Sequence, residues 1–157
     1  MSLQIFPFPD RNPLAQSDRS PVLVVEDDSG DEFFILRSLK SLQINSDVIV
    51  ARDGEEATNY IFRHGEYVNR QGEPCVIMLD LCIPKIAGLE VLRQIKEDPS
   101  TKHIPVVVMT SSESKVDIER CYALGANSVV RKGRFIEEFR ESVAVAVTYW
   151  TQVNVRA

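Results

Sequence analysis

The sequence predicts an α/β fold, a three-layer αβα sandwich built from five βα units in series. Three observations predict it. Short, continuous apolar runs recur at Val22–Val25, Val48–Ala51, Cys75–Leu79, Val106–Met109 and Val129–Val130, as strands buried on both faces should read. Between them lie segments whose apolar residues repeat at helical spacing. The two patterns alternate along the chain, which is the signature of βαβ units and a parallel sheet.

Each element has its own warrant. Residues 1–20 carry Pro7, Pro9 and Pro13 among polar residues and read as a poorly ordered extension, although Ile5, Phe6 and Phe8 could dock locally. The folded domain spans 21–151, with a tail over 152–157. After the first strand, Ser29-Gly30-Asp31-Glu32 matches a capping box, Ser29 as N-cap and Glu32 reaching back. Ile35, Leu36, Leu39 and Leu42 give that helix its inward face. Asp53 caps a second helix, with Glu56 three residues on and Ala57, Ile61 and Phe62 inward. A polar connection from His64 to Pro74 leads to the third strand. The third helix runs from Gly88 to Glu97 on Leu89, Leu92 and Ile95, and Asp98-Pro99 ends it because proline cannot continue the ladder. Pro105 opens the fourth strand, where a missing N–H is tolerable. A fourth helix over Ser114–Leu124 is terminated by Gly125. The last helix starts near Arg134, with Ile136, Phe139, Val143, Val147 and Trp150 as its stripe. Val145 and Tyr149 fall off that stripe, and Val153 and Val155 follow beyond it. The surplus fits either a tail folded onto its own domain or a homodimer surface; no output domain follows, which favours the dimer.

Composition excludes several classes. The chain has 157 residues, 44% hydrophobic and 26% charged, with a formal net charge of -5, which argues against a nucleic-acid or anionic-membrane surface. No apolar run approaches the roughly 20 residues that span a bilayer, and residues 1–20 lack the apolar core of a secretory signal. The three cysteines, Cys75, Cys82 and Cys121, are odd in number and widely spaced. They make no disulfide framework, and a reducing cytoplasm is the default compartment.

The chemistry collects where strands stop. Glu26 and Asp27 follow the first strand, Asp80 the third, Thr110 the fourth and Lys132 the fifth. In an open α/β sheet, ligands bind outside the carboxyl ends of the strands. Each residue alone has an ordinary reading, as a turn acid, a helix cap or a solvated lysine; their coincidence in chain order describes one site. Two carboxylates about 4 Å apart repel by several kcal/mol at an effective dielectric near 20, so the cluster needs a cation or a raised pKa. All-oxygen ligands favour a hard divalent ion such as Mg²⁺. A phosphate is the natural further party, with Lys132 as a point charge and Thr110 as a hydroxyl donor. Asp80 is then the candidate nucleophile, because a carboxylate can accept a phosphoryl group as an aspartyl-phosphate. The added charge could reorder a loop, so a switch is supported as well as a turnover enzyme.

The combination Val24-Val25-Glu26-Asp27-Asp28, then Asp80-Leu81-Cys82-Ile83-Pro84-Lys85-Ile86-Ala87-Gly88, then Val107-Val108-Met109-Thr110-Ser111, then Lys132 resembles a response-regulator receiver domain over about residues 21–150. The resemblance implies a flavodoxin-like doubly wound sandwich, its five parallel strands in the order 2-1-3-4-5. It also implies phosphorylation of Asp80 by a partner histidine kinase, and Mg²⁺ held by Asp27, Asp80 and the backbone carbonyl of Cys82, with Glu26 acting through water. The segment around His64-Gly65-Glu66-Tyr67, the entry Lys102-His103-Ile104-Pro105-Val106-Val107-Val108 and the aromatic C-terminal helix are similar to the stand-alone regulators of cyanobacterial phytochromes. A light-sensing kinase is the partner this implies, and a homodimer the assembly.

Three positions depart from the general receiver pattern. Gly133 follows Lys132 where proline is usual, so the cis peptide common there is absent. Val129 stands where an aromatic switch residue is usual and cannot swing toward Thr110 as a tyrosine would. Cys82 holds a place often taken by asparagine. Two rivals remain: a non-phosphorylated binding or dimerisation module on the same fold, and an aspartyl-phosphate phosphatase of the dehalogenase type. The phosphatase needs a second acid two residues after the nucleophile, where this chain has Cys82.

Overall fold

The computed structural model describes residues 3–6, 20–44 and 46–155. Its elements are β1 (Gln4–Phe6), β2 (Val22–Val25), α1 (Ser29–Ser41), β3 (Val48–Ala51), α2 (Gly54–Ile61), a 3₁₀ turn (Gly65–Tyr67), β4 (Val76–Asp80), α3 (Gly88–Glu97), β5 (Val106–Thr110), α4 (Lys115–Ala123), β6 (Ser128–Arg131) and α5 (Ile136–Thr148), with a π turn over Tyr149–Val153. The sheet has six strands in the order β1-β3-β2-β4-β5-β6. β2 to β6 are parallel throughout, in the second-first-third-fourth-fifth order the resemblance implies.

Alternate side chains of each strand face opposite layers. Leu23, Val25, Ile77, Leu79 and Val108 pack with Ala57, Val91, Leu92 and Cys121, so α2, α3 and α4 cover one face. Val22, Val24, Met78, Val107 and Met109 pack with Ile35, Leu39, Phe139, Val143 and Val147, so α1 and α5 cover the other. Burial on both sides explains why the central strands read as unbroken apolar runs. No helix among the described residues is long and apolar enough to cross a membrane.

Three local expectations need correction. The stretch 1–20 is not uniformly a loose extension: Gln4–Phe6 adds a strand antiparallel to β3, with Ile5 opposite Ile49. Leu3 donates its N–H to the Tyr67 hydroxyl at 3.3 Å, and Arg52 Nη2 donates to Gln4 Oε1 at 3.1 Å. Pro7, Phe8, Pro9 and Pro13 lie outside the described residues. At the other end, a π turn over Tyr149–Val153 follows α5. Finally, α1 is capped by Asp28 rather than Ser29: Asp28 Oδ1 accepts the N–H groups of Gly30 and Asp31, each at 2.9 Å. Glu32 does not reach back to a cap. It takes a two-pronged guanidinium bond from Arg52, at 2.9 and 2.7 Å, and such a charged fork outcompetes a single backbone N–H. The Asp53 cap of α2 stands as expected, its Oδ1 accepting from Glu56 N at 2.8 Å.

What seats the site is the Leu81–Ala87 loop between β4 and α3. Gly54 N donates to Pro84 O at 3.1 Å, and Lys85, at φ +64°, pairs with Asp53 at 2.8 Å and Glu55 at 3.1 Å. A Cβ on Gly88 would sit 2.3 Å from the carbonyl oxygen of Asp80 and 2.6 Å from Leu81 Cα. Only glycine lets α3 begin this close to the end of β4.

Candidate functional site

Four strand ends deliver the side chains. Glu26 follows β2 and is fully buried; Asp80 and Thr110 are the last residues of β4 and β5 and are also buried, while Asp27 is exposed. Lys132 follows β6, its backbone N–H held by Thr110 O at 2.8 Å. The peptide after it, to Gly133, is trans.

The lysine is the hub. Lys132 Nζ donates to Glu26 Oε2 at 2.7 Å, to Asp31 Oδ2 at 2.7 Å and to Asp80 Oδ2 at 2.8 Å. The other oxygen of Glu26 and of Asp80 is held by the backbone: Asp28 N donates to Glu26 Oε1 and Cys82 N to Asp80 Oδ1, both at 3.1 Å. Carboxylate oxygens of Glu26, Asp27 and Asp80 lie within 4.8 Å of one another. Cys82 itself sits exposed at the rim. Thr110 Oγ1 accepts from Ser112 N at 3.0 Å, which leaves its own proton to donate. Ser112 Oγ in turn donates to Asp117 in α4 at 2.6 Å. Val129 is half-buried against the α2–α4 face, a packing residue at the position where the general receiver pattern has an aromatic.

Glu26, Asp27, Asp80 and Lys132 therefore meet in one place, and Thr110, whose carbonyl accepts the Lys132 N–H, ends the strand beside β4. The sequence reading missed Asp31, the third carboxylate on the lysine. Its signal was a position four residues after Asp27, in the first turn of the helix leaving the site.

The electrostatics show a shortage of positive charge. Burial pushes Glu26 up to about 7, and the neighbouring Asp80 charge adds to the rise, against the opposing pull of Lys132. Burial works against the lysine's proton too, but bonds to Asp31, Asp80 and Glu26 outweigh it and hold the ammonium above the ordinary lysine value. A folded state that keeps the Glu26 proton longer than the unfolded chain binds more protons between about pH 4.5 and 7, so stability falls as pH rises through that window. A divalent cation favours the ionised form and reverses the loss. We expect added MgCl₂ to raise the urea midpoint more at about pH 8 than at about pH 5; an equal or larger gain at the acid pH would contradict this account.

An all-oxygen donor set short of one cation fits a hard divalent ion. The same arrangement of acids, hydroxyl and lysine at parallel strand ends marks a known family. The response regulator receiver domain matches residues 22–144. The chain belongs to that family. Among relatives, Response regulator Rcp1 of Synechocystis is 36% identical over 131 residues, covering 83% of this chain and 88% of that one. The Mn(2+)-bound form of Rcp1 superposes with a TM-score of 0.82 at 34% identity, over 88% of this receiver chain and 99% of that one. The phosphorylated cyanobacterial phytochrome response regulator RcpA gives 0.82 at 34% identity, over 87% and 97%. Receiver domains are signalling proteins that bind Mg²⁺ or Mn²⁺ at an acidic site and work with sensor histidine kinases.

Proposed function

We propose that this receiver domain is a cytoplasmic phospho-switch, modified on Asp80 by a phytochrome-type histidine kinase and signalling through protein contacts. The observation that carries it is the setting of Asp80. Its carboxylate is buried at the end of β4, with one oxygen on the Cys82 N–H and the other on Lys132, beside two further acids. Asp27, Asp80 and the Cys82 carbonyl would hold Mg²⁺, with Glu26 acting through water. Bound there, the ion would neutralise charge on the donor phosphate. Lys132 supplies a cation for a phosphoryl oxygen and Thr110 a hydroxyl proton. Such a protein accepts a phosphoryl group without catalysing turnover.

The phytochrome partner is supported by the likeness to Rcp1 and RcpA. The test is phosphotransfer from isolated, radiolabelled kinases. A phytochrome-type kinase should label the chain faster by orders of magnitude than an unrelated one; equal rates would remove the phytochrome assignment.

For assembly we propose a homodimer through the C-terminal region. Phe135, Val145 and Tyr149 are exposed and line a groove of about 990 Å³ with Val129, Val130 and Trp150. Exposed apolar side chains gathered in one groove offer a contact surface for a second copy. Sedimentation across a concentration series should show a concentration-dependent dimer, weakened by Val145→Glu. A monomer at every concentration, with and without phosphodonor, would rule this assembly out.

A further inference from the structure

An ammonium has three N–H donors, and here all three are spent on carboxylates: Glu26, Asp31 and Asp80. Before Asp80 has reacted, an incoming phosphoryl oxygen can reach Lys132 only by displacing one of them. The three differ in how well they tolerate release. The Glu26 side chain has no exposure to water and that of Asp80 has 7%, whereas Asp31 has 30%. A carboxylate released into a dry site carries a desolvation penalty; one at the rim is rehydrated. Asp31 has a second support. It lies in the first turn of α1, with its own N–H on Asp28 Oδ1, where the helix dipole favours an unpaired negative charge. Nor is Asp31 among the three acids whose oxygens converge within 4.8 Å.

We propose that Asp31 is a positioning residue that parks Lys132 in the resting protein and competes with the phosphoryl group for it. This rests on the phosphoacceptor reading of Asp80. Asp31 holds the lysine tip over the site, so the cation is in place before the phosphoryl arrives. It also sets a threshold, because the phosphoryl must win the lysine from a charged rival.

The probe is beryllofluoride, a tetrahedral phosphoryl mimic that a carboxylate oxygen ligates, titrated by ¹⁹F NMR at saturating Mg²⁺ so that metal binding cancels. Asp31→Asn should bind it about fivefold more tightly than wild type, the size expected for loss of one partly exposed charged competitor. Asp31→Glu, which restores a competitor, should return toward the wild-type affinity. Removing any negative charge nearby would also favour an anion through space, but that contribution is screened at about 1 M salt; the gain from lost competition persists there. Unchanged or weaker binding by Asp31→Asn, or a gain that vanishes at high salt, overturns the assignment. A wild-type protein that binds no beryllofluoride and accepts no phosphoryl group would instead remove the reading beneath it.

Discussion

Incubated with Mg²⁺ and acetyl phosphate, the wild-type protein should gain one phosphoryl group by mass, and Asp80→Asn should gain none. In the reaction an Asp80 oxygen attacks phosphorus while the bond to the acetate oxygen breaks. Acetate leaves with that electron pair, and no proton has to move. The amide of asparagine has no comparable nucleophile. It keeps a carbonyl oxygen for the Cys82 N–H, and Lys132 keeps Glu26 and Asp31 as partners, so the variant should fold. Loss of modification then reports the missing nucleophile rather than a damaged site. An unmodified wild type would end the switch reading and leave a binding or dimerisation module on the same fold. Equal labelling of the variant would move the acceptor elsewhere. The phosphatase alternative predicts turnover of phosphate esters; the exposed Cys82, two residues past Asp80, offers no carboxyl to drive it.

Lys132→Ala should be the most destabilising single truncation at the site. It leaves Glu26 and Asp80, both buried, and Asp31 facing one another without a cation. Breaking a buried pair by removing one partner typically costs about 3–5 kcal/mol, read as a fall in urea midpoint near neutral pH without divalent ions. Two treatments should recover part of it. Added MgCl₂ supplies the missing positive charge, and acidification lets Glu26, already poised at about 7, take up a proton. A variant as stable as wild type in metal-free buffer would show that the lysine does not neutralise this cluster.

The framework was legible because its residues report locally. Val22–Val25 and Val48–Ala51 are strands in full, since burial on both faces leaves no alternation to misread. Gly88–Glu97 is the third helix at both ends, fixed by the tight approach at Gly88 and by the Asp98-Pro99 stop. What failed depended on partners far along the chain. Three residues at Gln4–Phe6 are too few to display a period, and their pairing with Val48–Val50 is invisible locally. Glu32 satisfied a capping pattern but was claimed by Arg52, 20 positions away. The strand-end acids, Thr110 and Lys132 could be gathered by topology alone. Asp31 could not, because its part in the site depends on how α1 is rotated about its axis.

The added strand has a consequence for solubility and for the choice of partners. A parallel sheet ending at β3 would present an open row of amide and carbonyl groups, a template for another chain's backbone. β1 occupies that row over Gln4–Phe6. It lies at the opposite edge of the sheet from β6, beside which the exposed apolar side chains of α5 and its turn collect. The β1 flank therefore ends in a strand of only three residues, too short to template much pairing, while the other carries the exposed apolar side chains. The proposed homodimer would thus rest on side-chain packing near Trp150 rather than on strand-by-strand growth, which has no natural stopping point.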